Sequence, residues 1–471
     1  MKWKETNRMQ PRKHLTNVLD TDKIGPLLFK LSTPAFMGMF VQSMYNVINT
    51  IFVGKYVGTD AIAGLGVAFP LQMLGFGLGN LAGIGGMSLI SRYLGAREYE
   101  KAEKSLGNGI VLSIFLGLFI ILALLPFLGF WLKLIGASEH VYPYAYDYMV
   151  FVCIGMLPQI CSMAFLNYAR AEGNARVGMI GMILGALTNI GLSALFIIGM
   201  HLGARGAGLA TMIAQLVSVS YTASYYLFNK SFLKLRRINL RPDFRVLKQI
   251  SSIGVGAFMQ VFAGSLSSMI LINMVVHYGG DYALGAFTIV QRVMMFANMP
   301  AMIISQGAQP ILGFNYGARR FRLALKSIYM AVIVSTGLCT VTFGIVYFIP
   351  EPIIRIFSND EELVSAGILA ARGMMLLLPI TGPMMVGTMV FQALGKPGRA
   401  FITAVARPVL FMIPAVLILS RLLGIDGIWY AFPTSDALTC FTVGILILPI
   451  LSQLKKSAAE EDQQNVSQLS G

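Results

Sequence analysis

The sequence predicts an all-α integral membrane protein, with twelve transmembrane helices in two six-helix bundles related by a parallel internal repeat. Three observations carry this. Hydrophobic residues make up 56% of the 471-residue chain and charged residues only 12%, with a mean hydropathy of +0.70, whereas soluble domains hold roughly twice that charged fraction. Apolar runs long enough to cross a bilayer recur from end to end. The second half of the chain also repeats landmarks of the first at a fixed offset.

The apolar runs fall at 26–54, 61–91, 105–135, 142–170, 176–199, 204–228, 246–277, 283–312, 325–349, 364–393, 399–423 and 427–452. Several exceed the ~20 residues a span needs, which predicts tilt or extension past the lipid. Lys and Arg flanking spans are retained on the cytoplasmic side. With the N-terminus placed inside, 29 of the 36 Lys and Arg fall on inner segments and inner span ends, including "RRINLR" at 236–241 and "ARRFRLALK" at 318–326. Lys55, Lys133, Arg205, Arg355 and Arg421 fall outside, and Arg292 and Arg372 lie within spans. Both termini are therefore expected in the cytoplasm, with the chain multi-pass in a cell (inner or plasma) membrane. The division that follows is a cytoplasmic tail 1–25, a lobe 26–228, a basic cytoplasmic linker 229–248, a second lobe 249–452 and a cytoplasmic tail 453–471. The first 25 residues lack the apolar core and cleavage site of a signal peptide, so the first span reads as an uncleaved anchor.

The same asymmetry accounts for the net charge of +15. The basic residues are spread over an inner rim, where anionic lipids are the expected partners, and no nucleic-acid partner is expected. A monomer is expected. Cys153, Cys161, Cys339 and Cys440 lie in or near apolar spans without C-x-x-C spacing, which argues against disulfides and zinc.

Gly95-Ala96-Arg97 in "SRYLGAREYEKA" (91–102) recurs as Gly317-Ala318-Arg319 in "GFNYGARRFRLA" (313–324), 222 residues on. "RAEGNAR" (170–176) and "QALGKPGRA" (392–400) align Gly173 with Gly395 at the same offset. Leu157-Pro158 aligns with Leu378-Pro379, and Gly203 with Gly424, both at 221. Six spans per unit is an even number, so both copies start on one face and are related by an axis along the membrane normal. Two similar bundles about a cleft suit a transporter that rocks between inward-open and outward-open states, with substrate near the midplane. Nothing resembles a channel's selectivity filter or charged ring. The Gly-Ala-Arg turns read as helix stops, glycine taking the left-handed conformation and arginine marking the inner face. The competing reading is a direct part in gating.

In the first span, "VQSMYNVINTIFVG" (41–54) sets Gln42, Asn46 and Asn49 at i, i+4 and i+7, one face of a helix. An apolar helix with an amide face has something polar opposite, either a neighbouring helix or a cleft.

The stretches "MYNVINTIFVG" (44–54), "SRYLGARE" (91–98), "SQGAQPILGFNYGARR" (305–320), "FQALGKPGRA" (391–400) and "GIDGIWYAFPTSD" (424–436) together resemble the multidrug and toxin extrusion (MATE) family, bacterial branch, over about residues 20–455. The resemblance implies twelve helices in two lobes and export of amphipathic, often cationic compounds driven by H+ or Na+. It also implies an aspartate where this chain has Asn49. In the fifth span it implies an asparagine, here Asn189, followed four residues later by an acid, here Ser193. Those acids belong to a cation or proton site. Asn49, Asn189 and Ser193 offer oxygens but cannot exchange a proton at physiological pH.

Of the 21 Asp and Glu, nearly all fall in loops or tails; Asp147 is near the outer edge of its span and Asp436 alone lies clearly within one. An intramembrane carboxylate costs ~3 kcal/mol on the insertion scale, so it calls for a function and a partner. Arg407 is the expected partner, and Arg292 lies at similar depth. Either Asp436 and Arg407 form a permanent ion pair or they form a proton site that titrates as the cleft opens. The former is favoured. If Arg292, Arg372 and Arg407 face the cleft, one acid does not balance them and anionic or neutral cargo becomes credible. Otherwise they snorkel or pair with helix C-terminal carbonyls. Gln159, Asn167, Gln260, Asn273, Gln306 and Gln309 are further polar residues at membrane depth, either helix–helix contacts or substrate contacts.

The Gly-rich "GFGLGNLAGIGG" (75–86) lies inside an apolar span, without the strand–turn–helix setting of a nucleotide fingerprint; small residues for close helix approach explain it better. No P-loop is present. His14, His140, His201 and His277 are scattered, so no metal and no cofactor beyond a coupling ion, H+ or Na+, is expected. The expected function is secondary active, multidrug efflux of amphipathic small molecules by antiport and alternating access, not enzymatic. The alternative is a flippase or exporter of lipid-linked or anionic amphiphiles.

Overall fold

The computed structural model describes residues 18–228, 230–357 and 360–470, apart from the side chains of Asn46, Asp281 and 464–470. Most of the expected 1–25 tail lies outside the described residues. The first lobe consists of α1 (Ile24–Tyr56), α2 (Thr59–Gly95), α3 (Tyr99–Leu124), α4 (Tyr142–Ala171), α5 (Ala175–Gly199) and α6 (Gly203–Leu227). The second consists of α7 (Phe244–Gly280), α8 (Tyr282–Gly317), α9 (Phe321–Phe348), the bent α10 (Glu361–Met374 with Leu378–Ala393), α11 (Pro397–Leu423) and α12, which starts at Ile425. Short helices Leu128–Ile135 and Pro350–Arg355 follow α3 and α9. No strand occurs among the described residues.

Among the described residues ten helices are long and apolar enough to cross a membrane, eleven with α10 as one span. The other expected span, 204–228, is α6, whose Gly, Ala, Ser, Thr and Gln content makes it a weaker apolar run; it is wedged against α4 and α5. The chain bends by 49° in α10 at residues 375–377, where Pro379, in the first turn of the second segment, has no N–H to give the Met375 carbonyl and its ring cannot continue the first segment. The matching Pro158 is carried within an unbroken α4. Single π turns interrupt α5 at Ala194–Gly199 and α11 at Ala406–Phe411; such turns often mark working sites.

Two boundaries differ from the sequence reading. The linker ends earlier than 248, because Asp243 caps α7 by accepting from the amides of Arg245 (2.8 Å) and Val246 (3.4 Å). The tail expected from 453 continues as helix to Ser470, and Glu461 accepts from the first amides of α9, Phe321 (2.9 Å) and Arg322 (3.3 Å).

The repeat is written into backbone handedness. Left-handed φ recurs at Gly58 and Gly280, Arg97 and Arg319, Gly173 and Gly395, Gly203 and Gly424. This corrects the reading of the Gly-Ala-Arg turns. Arg97 (φ 59°) and Arg319 (φ 58°) take the left-handed turn, while Gly95 and Gly317 end their helices in ordinary helical geometry. Their glycines serve close packing instead, as described next.

Candidate functional site

The lobes meet at the end that carries the linker, termed here the basic end. There α2 crosses α8 through the repeated turns: a Cβ on Gly95 would lie 1.9 Å from the Phe314 carbonyl, and one on Gly317 would lie 2.0 Å from the Arg92 carbonyl. Only a residue without a Cβ fits either place. Gly85 and Gly254 form a second such crossing, of α2 on α7, against the Ile250 and Leu81 carbonyls. Ser88 Oγ donates to the Gln392 carbonyl (2.5 Å) and Arg170 Nη1 to Gln306 Oε1 (2.5 Å), both between lobes.

Toward the opposite end this packing stops. On α2, residues 61, 64, 68, 71 and 75 are buried on one stripe, whereas 77–91 are buried almost all round. On α8 the change comes at about residue 300. One continuous apolar core joins the first lobe to the basic-end halves of α8, α9, α10 and α12, while the far half of the second lobe (Leu271, Phe287, Met374, Trp429 and their neighbours) forms a separate core. The lobes are thus sealed at the basic end and parted at the other.

In the far half of the first lobe, α1 and α5 bring three expected residues together. Ser193 Oγ lies 3.1 Å from Asn49 Oδ1 and 3.4 Å from Asn189 Oδ1, all three buried, and Asn189 is only 1% exposed. The network goes on through Asn189 Nδ2 to Thr211 Oγ1 (3.2 Å) on α6. Thr211 also meets the Tyr148 hydroxyl of α4, which accepts from Gln72 Nε2 of α2 (2.7 Å). Five helices share this neutral chain, and among the described residues no carboxylate belongs to it. Buried amides and hydroxyls so satisfied hold helices in register.

In the second lobe, Arg407 Nε donates to Asp436 Oδ1 at 2.5 Å. Asp436 is 2% exposed, and Arg407 leaves its π turn with Nη2 buried and without a partner. The two expected partners therefore meet as a closed ion pair. Arg372 is exposed and donates to the Tyr347 carbonyl (3.3 Å) near the C-terminus of α9, so it belongs to a helix end and not to the cleft. Arg292 is exposed on α8.

The other expected residues divide. Asn167 is buried, donates to the Met163 carbonyl (2.8 Å) and packs on Gly83, a helix–helix contact. Gln309 is buried with Nε2 unpartnered, Gln306 bridges the lobes, and Gln159 is half-buried beside Gly75. Gln260 and Asn273 are exposed along α7, and Asn273 bonds its own helix at the Met269 carbonyl. Gln42 is half-buried; the Asn46 side chain lies outside the described residues.

Sequence reasoning missed Arg170 and Glu172. Both stand in the quoted "RAEGNAR", where the glycine drew attention and the charges read as loop. Arg170 is 4% exposed and Glu172 6%.

Two six-helix repeats, sealed together at one end and parted at the other around polar centres, define a two-lobed membrane transporter architecture. The MatE family model matches residues 34–195 and 257–417, one copy per half, and the chain belongs to this family of transporters. Among curated relatives, the multidrug export protein MepA of Staphylococcus aureus (strain MSSA476) is 27% identical over 425 residues, covering 90% of this chain and 93% of that protein. MepA of Staphylococcus haemolyticus is 25% identical over 437 residues, covering 92% and 96%. Among solved structures, the MATE multidrug transporter DinF-BH is 36% identical with a TM-score of 0.86, covering 93% of this chain and 98% of that one. A MOP-superfamily transporter from Pyrococcus furiosus shares the fold at 23% identity, with a TM-score of 0.89 over 95% and 100% of the two chains.

Proposed function

We propose that the protein is a secondary active efflux transporter, not an enzyme, that exports amphipathic small molecules from the cytoplasm by alternating access. The observation that carries this is the divided core: continuous between lobes at the basic end, separate at the far end. With the basic end on the cytoplasmic side, as the positive-inside rule places it, the conformation is outward-facing. Relatives named for multidrug export support the reading.

Coupling is assigned to the second lobe. The Asn49–Ser193–Asn189 network holds no group that titrates, whereas Asp436 can take a proton and release Arg407. The driving gradient is H+ or Na+, exchanged in antiport. A monomer surrounded by lipid, with no nucleic-acid partner and no other cofactor, completes the reading. The second reading, a flippase or exporter of anionic amphiphiles, is favoured by arginines without acids.

The test is uptake into inside-out proteoliposomes of two xanthene dyes, cationic rhodamine 6G and anionic carboxyfluorescein, under an imposed H+ and then Na+ gradient. Wild type is expected to accumulate dye with one gradient, and Asp436→Asn to lose that dependence. Unchanged gradient dependence in the variant would remove coupling from Asp436.

A further inference from the structure

On α8, Arg292, Met299, Gln306 and Gly313 follow each other at seven-residue intervals, and a helix drifts only about 20° per heptad. Three of them meet the first lobe. Met299 packs in one cluster with Ala35 and Met39 of α1, Gln306 accepts from Arg170 of α4, and Gly313 faces Ser91 of α2. Arg292 is the next step toward the parted end. It is exposed, and no ion pair or hydrogen bond holds it among the described residues. By register its guanidinium faces across the open cleft. It stands about 15 Å along the helix from Tyr282, near the middle of a ~30 Å hydrocarbon layer.

Arg170 is the counterpart at the sealed end. Its Nη1 meets only the neutral Gln306 across the lobes, its Nε is buried without a partner, and no carboxylate bears on its charge. The span carboxylates nearest this depth are already committed: Asp436 to Arg407 at 2.5 Å, and Asp147 to Arg205 at 2.9 Å. The first-lobe network across the cleft is neutral.

Among the described residues, no acid faces either of these two guanidiniums along the path between the lobes. Enclosing an unpaired charge is costly, and each rocking step encloses one of them. An organic cation would add a like charge; an anion would relieve the cost. We propose that Arg170 and Arg292 are cargo-recognition residues and that the cargo is an amphiphile bearing an anionic group, a carboxylate or a phosphate. Arg170 holds that group when the basic end is open and Arg292 holds it when the far end is open. This rests on the efflux reading above and specifies the charge of what is exported.

The dye pair tests it, because the xanthene core is shared and the charge reversed. In proteoliposomes, and in detergent by fluorescence anisotropy, wild type is expected to prefer carboxyfluorescein. Arg292→Gln should weaken carboxyfluorescein by roughly tenfold, as loss of a charge-assisted hydrogen bond would, and strengthen rhodamine 6G, inverting the preference. Arg292→Lys should restore most of the anion preference. Arg292 is exposed, so its variants separate recognition from folding; Arg170→Lys and Arg170→Gln repeat the comparison at the buried site, with thermal stability measured alongside. Movement of rhodamine 6G in preference to carboxyfluorescein, or an Arg292→Gln variant with unchanged preference, overturns the proposal and leaves efflux standing. Movement of neither dye overturns both.

Discussion

Glu172 sits one residue beyond α4 and ties down the segment that joins the lobes. Its carboxylate accepts from Tyr225 Oη (3.0 Å), Ser231 Oγ (2.7 Å) and the Phe232 amide (3.2 Å), while buried Glu103 accepts from the Lys234 amide (3.3 Å) and pairs with Arg236 (3.6 Å). The linker is thus docked on the first lobe. Burial outweighs these donors and pushes the Glu172 carboxyl up to about 7, from 4.5. A carboxyl raised in the folded state binds more protons than the unfolded chain between those values. Its stabilising effect is therefore full below about pH 4.5, falls as pH rises, and is lost above about pH 7, a span of about 3 kcal/mol. Glu172→Gln should flatten that part of the pH profile of thermal stability in detergent; an identical slope in wild type and variant would locate the titration elsewhere. The burial was not legible in "RAEGNAR", because the linker residues that cover the acid come about 60 positions later.

At the level of elements, the α2–α8 crossing depends on two residues a full repeat apart. Gly95→Ala or Gly317→Ala would press a methyl into a backbone carbonyl that cannot turn aside, and overpacking of this kind costs about 1–3 kcal/mol. Either variant should favour the form open at the basic end, raising thiol labelling of a Ser88→Cys reporter at least tenfold and lowering export. Ser88 is fully buried in the sealed form, so an unchanged labelling rate would show that these glycines do not hold the crossing. The landmark was visible as a repeated Gly-Ala-Arg; its use was not. A turn's own sequence reports where a helix ends, but two helices whose glycines face one another must be assembled before the contact exists. The bend of α10 was equally hidden, since Leu-Pro occurs in both halves, inside an unbroken helix at Pro158 and at the start of a new segment at Pro379.

For the whole molecule, the reading requires the sealed end to open in every cycle. A Cβ on Gly313 would stand 3.1 Å from that of Ser91, close enough for a disulfide after a small shift. In a Ser91→Cys, Gly313→Cys double variant, oxidation should stop dye uptake in proteoliposomes and reductant should restore it. Transport that persists in the oxidised, cross-linked protein would mean that the lobes do not part there.

What the sequence determined by itself is what local composition and charge dictate: an all-helical membrane chain, its spans, its duplication and the basic side. Apolar length and flanking Lys and Arg act on each helix separately, so they can be read without knowing the neighbours. It also named Asp436 with Arg407, since two opposite charges at one depth in adjoining helices have few other partners. Tertiary structure decided the rest. Asn49 meets Ser193 across 144 residues, Arg170 meets Gln306 across 136, and Arg372 turns to the end of α9. Those pairings depend on how each helix is rotated and how the lobes are tilted, and a one-dimensional pattern carries neither.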